Sequence, residues 1–206
     1  GAFDVSFLDR PDPAAWDASR KLLERLGAVN GDALTPLGKQ LAEIPLPPRA
    51  ARLFLAGDDF GVSERAATLA ALLGERDILR TGPFTGRSRG PADRATHESD
   101  LLARLEAVEE ADGGSPGVAR QLGLDARILS SVKRTRDRLL RRAKKKRAET
   151  DDDLLLRRAL LLAHPDRVAK RLRAGGRSLA MASGGKAELS EDSAVRHAEW
   201  MVVVDG

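Results

Sequence analysis

The 206 residues are 42% apolar, enough to pack one large core or two to three small ones, and 35 Lys and Arg against 31 Asp and Glu leave a net charge of +4. With no cysteine, disulfide and thiolate chemistry are excluded. No apolar run approaches the ~18 residues of a membrane span, and GAFDVSFLDR lacks a signal peptide's basic start, so no membrane contact and a cytoplasmic location are expected. Aromatic residues are only 3% and tyrosine is absent, which argues against a base-stacking platform dominated by aromatic side chains. Contact with nucleic acid is expected to be mostly electrostatic.

A first helix is predicted from about Pro13 to Leu26, with Trp16, Leu23 and Leu26 on one face and Gly27 ending it. Asn30-Gly31-Asp32 signals a tight turn. Thr35 before Pro36 supplies an N-cap and a proline at the first helical position, so a second helix starts there. Its apolar stripe is Leu37, Leu41 and Ile44, and Pro45-Leu46-Pro47-Pro48 cannot continue it. Helix, turn, extended piece and short helix outline a small winged-helix unit.

Further along, Arg49 to Ala56 reads as a helix and Gly57 to Gly61 as a turn. Ser63 to Leu73 reads as the next helix, with Ser63 as N-cap and Ala66, Leu69, Ala70 and Leu73 buried. Residues 81 to 93 carry three Gly and two Pro and are expected to form a loop, followed by a helix from about Ala95 to Glu110. A helical pattern resumes at Val118 and breaks near Gly123. Asp125 then caps a long helix running to about Ala148, with Ile128, Val132, Leu139 and Ala143 inward. Thr150 to Asp153 complements the dipole of a helix from Leu154 to Ala163. Beyond His164-Pro165, glycine pairs and the apolar segments Ser178 to Ala182 and Trp200 to Val204 suit strands and turns, the start of a truncated β domain.

Several chemical signals are weak. Gly185-Lys186 lacks the remaining positions of a Walker A loop, since Ala180 and Ala187 stand where glycine and Ser or Thr are needed. Ser115 sits in a G-x-S-x-G match but follows a charged helix rather than a buried strand, so a plain turn is expected. His97, His164 and His197 have no metal-ligand spacing, and helix capping accounts for the three aspartates at 151 to 153.

The basic segment is more distinctive. Residues 133 to 147 hold ten Lys or Arg and one Asp, a balance of +9, which leaves 25 basic and 30 acidic residues elsewhere, a balance of −5. Such crowding is self-repelling unless a polyanion or an acidic neighbour offsets it. Glu106, Glu109, Glu110 and Asp112 are the candidate neighbours. Phosphate contact is assigned by charge to Arg134, Arg138, Arg141, Arg142 and Lys145, with a second group of Arg171, Arg173, Arg177 and Lys186 around the β turns.

The stretch LERLGAVNGDALTPLGKQLAEIPLPPRAARLFLAG resembles the winged-helix and ratchet start that follows the second motor domain of DEAH-box helicases. LAALLGERDIL is similar to the family's next helix, with Gly74 in place of its serine. AHPDRVAKRL, SLAMASGGKAEL and AEWMVVVD resemble the bacterial HrpB-type branch. The resemblance implies a mainly α fold in three parts: a winged-helix part at 1–46, a helical ratchet bundle at 47–163 and a partial OB-like β region at 164–206. It also implies RecA-like motor domains of the same parent chain and a single-stranded RNA or DNA as partners. ATP and Mg are implied only for the motors; no G-K-T loop and no D-E-A-H sequence occurs here, so neither cofactor nor catalytic residue is expected in this chain. Two other functions fit less of the sequence. One is a winged-helix reader of duplex DNA, for which the second helix offers only Lys39, Gln40 and Glu43. The other is a protein docking scaffold, with the basic helix set on an acidic surface.

Overall fold

In a computed structural model, residues 11–75, 99–114, 117–144, 152–191 and 193–204 are described. Helix α1 (Pro13–Arg25) opens on the Asp12 side chain, which accepts a hydrogen bond from the Ala14 amide. It closes in a Schellman turn: the Gly27 amide donates to Glu24 O, the Ala28 amide to Leu23 O, and Gly27 takes φ +74°. A two-stranded ribbon follows, β1 (Val29–Asn30) against β2 (Ala33–Leu34), turning at Gly31. Thr35 then caps α2 (Pro36–Ala42). Its hydroxyl accepts from the Gly38 amide at 2.9 Å and donates to Gly27 O at 2.6 Å, so one side chain ties the start of α2 to the end of α1. Leu41 and Ile44 are buried, with Leu37 packed against the same core.

The proline clamp leads into α3 (Pro48–Phe60), which runs four residues beyond the predicted stop at Ala56. Gly57 is helical because its role is close approach: a Cβ there would lie 2.2 Å from Ala66 Cβ on α4 (Ser63–Gly74). Gly61, at φ +84°, is the residue that ends α3. Ser63 is also corrected. It is the first residue of α4 rather than its cap, and its hydroxyl donates to the buried Asp58 carboxylate at 2.6 Å. Ala66, Leu69 and Ala70 are fully buried, as their spacing predicts, and Leu73 is half-buried.

Ser99 caps α5 (Asp100–Gly113), which continues past Glu110; the expected loop at 81–93 and the start near Ala95 lie outside the described residues, as does Ser115. A short α6 (Val118–Gln121) ends before Gly123 at φ +70°, the predicted break. Asp125 caps α7 (Ala126–Leu140), accepting from the Arg127 and Ile128 amides. That helix stops short of the predicted Ala148. The Arg142 and Ala143 amides bond three residues back, to Leu139 and Leu140, and the Lys144 amide leaves the helix for the Asp58 carboxylate at 3.0 Å. Residues 145–151 lie outside the described set. The last helix, α8 (Asp152–Ala163), has acidic residues in its first turn.

A single apolar core runs from Ala28 to Ala163, centred on α3, α4, α5, α7 and α8. Phe54, Leu53, Leu69, Leu105, Leu139 and Leu156 are its largest fully buried members. Four antiparallel strands follow: β3 (Val168–Arg171), β4 (Ser178–Met181), β5 (Lys186–Glu188) and β6 (Trp200–Val202), in the order β5-β4-β3-β6. Two of these, β3 and β5, carry too much charge to read as apolar strands in the sequence. Ala169, Arg171 and Leu179 are buried, and Arg171 donates to the Val195 and Ala198 carbonyl oxygens of the 193–199 segment. Two clamps join sheet to helices. Arg49 of α3 grips Asp166 through two bonds of 2.7 Å and also donates to Ala163 O, while the Asp100 carboxylate accepts from Ser193 Oγ and the Ala194 amide at 2.7 and 2.6 Å.

Candidate nucleic-acid interface

Helix α7 is amphipathic in the strict sense. Leu129, Val132 and Leu139 are buried against the core, and the residues half a turn away are exposed. At 100° per residue, Arg127, Arg134, Arg138 and Arg141 fall within a 60° arc on the side opposite Val132, and all four are exposed. They cover about 20 Å of helix at ~1.5 Å per residue. None of the four forms an ion pair with a described residue. Arg127 lies outside the dense basic run, so charge counting along the chain missed it; its seven-residue spacing from Arg134 is the signal that finds it.

The remaining described basic residues of the segment, Lys133, Arg136, Arg142 and Lys144, are engaged elsewhere. Lys133 pairs with Asp112 at 2.6 Å, and Arg136 donates to the same carboxylate and to Asp137. Those two cations hold the Asp112 carboxyl below its ordinary range. Lys144 meets Asp59 at 2.5 Å, which raises its ammonium pKa. Arg142 leans toward Glu43 at the end of α2, 3.8 Å away. Lys145 lies outside the described residues. Of the acidic neighbours expected to offset the basic run, Asp112 does so, whereas Glu109 pairs with Arg65 of α4, which also binds Asp153. Partial neutralisation on one flank thus leaves, among the described residues, an arginine face without acidic partners on the other.

The second predicted group divides. Arg171 is a correction: it is only 7% exposed, and its guanidinium donates to the carbonyl oxygens of Ala198, Gly176 and Val195. A side chain spent on holding the 193–199 segment has little left for phosphate. Arg177 is half-buried, donating to Leu189 O and pairing with Glu191 at 2.8 Å and Glu188 at 3.6 Å. Arg173 and Lys186 are exposed and border one shallow depression with Ser178. On α2, Lys39, Gln40 and Glu43 are exposed, one of each charge class, which gives no basic reading face for a DNA groove.

Of the histidines, His97 lies outside the described residues, His197 is exposed and His164 is buried, its Nδ1 3.2 Å from Leu160 O. Burial, aided by Arg49 and Arg167, pushes the His164 pKa down. Among the described residues no three His, Asp or Glu side chains gather as a metal ion would require, and no helix is long and apolar enough to cross a membrane.

Residues 19–46 match the family described as "Helicase associated domain (HA2), winged-helix". The chain is 32% identical over 108 residues to a probable ATP-dependent RNA helicase DHX35 homolog of Caenorhabditis elegans, covering 52% of this chain and 13% of that protein. It is 32% identical over 105 residues to the ATP-dependent RNA helicase HrpA of Escherichia coli K12, covering 47% and 8%. The crystal structure of the E. coli DEAH/RHA helicase HrpB superposes on 97% of this chain and 20% of its own, with a TM-score of 0.63 and 24% identity, a likeness of fold. The chain therefore spans a small fraction of each relative's length. Residues 19–46 thus match the winged-helix part of a helicase-associated domain, about half of the chain is similar to DEAH-box ATP-dependent helicases, and the whole chain shares a fold with part of HrpB.

Proposed function

We propose that this region serves an ATP-dependent helicase by contacting single-stranded nucleic acid along the outer face of α7 while packing on RecA-like motor domains of the same parent chain. In this reading the winged-helix part (1–46), helical ratchet (47–163) and β region (164–206) form a non-catalytic accessory unit, and ATP and Mg belong to the motors. The observation that carries the reading is the aligned, exposed row of Arg127, Arg134, Arg138 and Arg141, unpaired among the described residues. Four guanidinium groups in register repel one another unless an anion lies along them, and arginine's planar fork suits phosphate oxygens. The test is fluorescence-anisotropy titration with single-stranded RNA and with duplex DNA, each at two salt concentrations. Salt-sensitive binding that favours the single strand is expected. Failure to bind either at low salt would assign the arginine row to docking on an acidic protein surface instead.

A further inference from the structure

Residues 154–162 of α8 carry six leucines, and the helix buries only half of them. Leu155, Leu156 and Leu160 are buried in the core, whereas Leu154, Leu161 and Leu162 are 50%, 46% and 39% exposed. At 100° per residue Leu154, Arg158, Leu161 and Leu162 fall within an arc of about 100°, opposite Leu156 and Ala163, and span ~12 Å. A helix that is apolar on both sides is ordinarily covered on both. The exposed arc borders α3. Arg49 near the start of α3 donates to Ala163 O at the end of α8, and the Arg158 guanidinium lies 5.3 Å from the ring centre of Phe60 at the end of α3. The two helices therefore run antiparallel with this arc along their seam. From α3, Arg52 and Leu55, both half-buried, stand on the solvent side of Arg49.

Arg52 supplies a second observation. Its Nε is buried with no hydrogen-bond partner among the described residues, and burial pushes its pKa down. Nearby carboxylates are engaged elsewhere: Asp59 meets Lys144 at 2.5 Å and Asp166 meets Arg49 at 2.7 Å. Leucines rimmed by Arg52 and Arg158 call for an occupant with apolar side chains and a carboxylate. We infer that the seam of α3 and α8 docks an acidic amphipathic helix of a separate protein, which covers Leu154, Leu161 and Leu162 and sets a carboxylate against Arg52. A phosphate backbone would leave the leucines wet, which selects protein over nucleic acid. The choice of a separate protein rests on the proposed function. There the strand lies along α7, which packs on α4, whereas α8 packs chiefly on α3, so strand and motors gather on the α7 side and the α8 seam stays open to a partner in trans.

The probes are two fluorescein-labelled helical peptides of about 18 residues, with leucines at i, i+3, i+4 and i+7 spacing and flanks of glutamate in one and lysine in the other. Anisotropy is read with this chain and with the full-length parent. The glutamate peptide is expected to bind both, at least about tenfold more tightly than the lysine peptide. Arg52→Gln, and separately Leu161→Gln with Leu162→Gln, should each weaken it about fivefold or more while affinity for single-stranded RNA stays as in wild type. Equal binding of the two peptides, or wild-type binding by both variants, would overturn the inference. Binding to this chain but not to the parent would mean that the parent's own domains fill the seam. Self-association of the chain that Leu161→Gln with Leu162→Gln abolishes would mean that a second copy does. Either result overturns the separate-protein occupant. Peptide binding without strand binding would sink the proposed function and keep the seam; strand binding without peptide binding would do the reverse. Should Arg52→Gln fail to fold, the exposed leucine pair decides the matter.

Discussion

Thr35 shows how much can depend on one hydroxyl, which accepts from the Gly38 amide and donates to the Gly27 carbonyl. Thr35→Ala is expected to cost about 1–2 kcal/mol, read as a lowered denaturant midpoint. Gly38 is less replaceable still. A Cβ there would sit 1.9 Å from the Ala28 carbonyl oxygen, so Gly38→Ala must push α2 off the ribbon and should lower the midpoint by about 1–3 kcal/mol. At the sheet junction, Arg49 holds the Asp166 carboxyl down at about 2. Because its folded pKa is depressed, that pair stabilises fully above about pH 4 and its contribution, about 2 kcal/mol, is lost as pH falls toward 2. His164 also disfavours acid, by a different route: buried and neutral, it leaves the unfolded chain to take the proton below about pH 6.5. Melting temperatures across this range should fall in both windows for the wild type. Asp166→Asn should abolish the lower one, and an unchanged lower phase would count against the clamp.

The behaviour of α7 illustrates what a sequence does and does not show about an element. Its cap at Asp125, its buried Val132 and Leu139 and its outer charge follow from spacing alone, and the structure agrees on each. Its end does not, because the residue that stops it is Asp58, 86 positions earlier, whose buried carboxylate takes the Lys144 amide. The same distance hides the division of the basic residues, since Lys133 and Arg136 turn to Asp112 only because α5 passes beside them. Arg171 was misjudged for a related reason: a basic residue next to glycine turns reads as exposed, and only the register of β3 puts it inward. Asp58→Asn removes the charge that holds both Lys144 and Ser63 and should cost about 1–3 kcal/mol. It should also speed amide exchange at Lys144 more than at Val132. Equal changes at the two sites would mean that global destabilisation, and not the loss of this tie, is being observed.

Across the whole molecule, a continuous helical core is joined to a small sheet by the Arg49–Asp166 and Asp100–Ser193 contacts. The winged-helix outline was legible from Asn30 to Pro48, where turn, cap and proline chemistry all act locally. The sheet was half legible, since β4 and β6 are apolar enough to stand out while the charged β3 and β5 are strands only through their partners. The central claim is that the exposed arginine row of α7 lies along a single strand. It is tested most directly by the slope of log affinity against log salt for single-stranded RNA, comparing wild type with Arg134→Ala/Arg138→Ala/Arg141→Ala. Each lost phosphate contact on a single strand removes about 0.7 from the slope, so the triple variant should bind more weakly with a slope reduced by about 2. Equal slopes and affinities for the two proteins would contradict the assignment and remove strand contact from the outer face of α7.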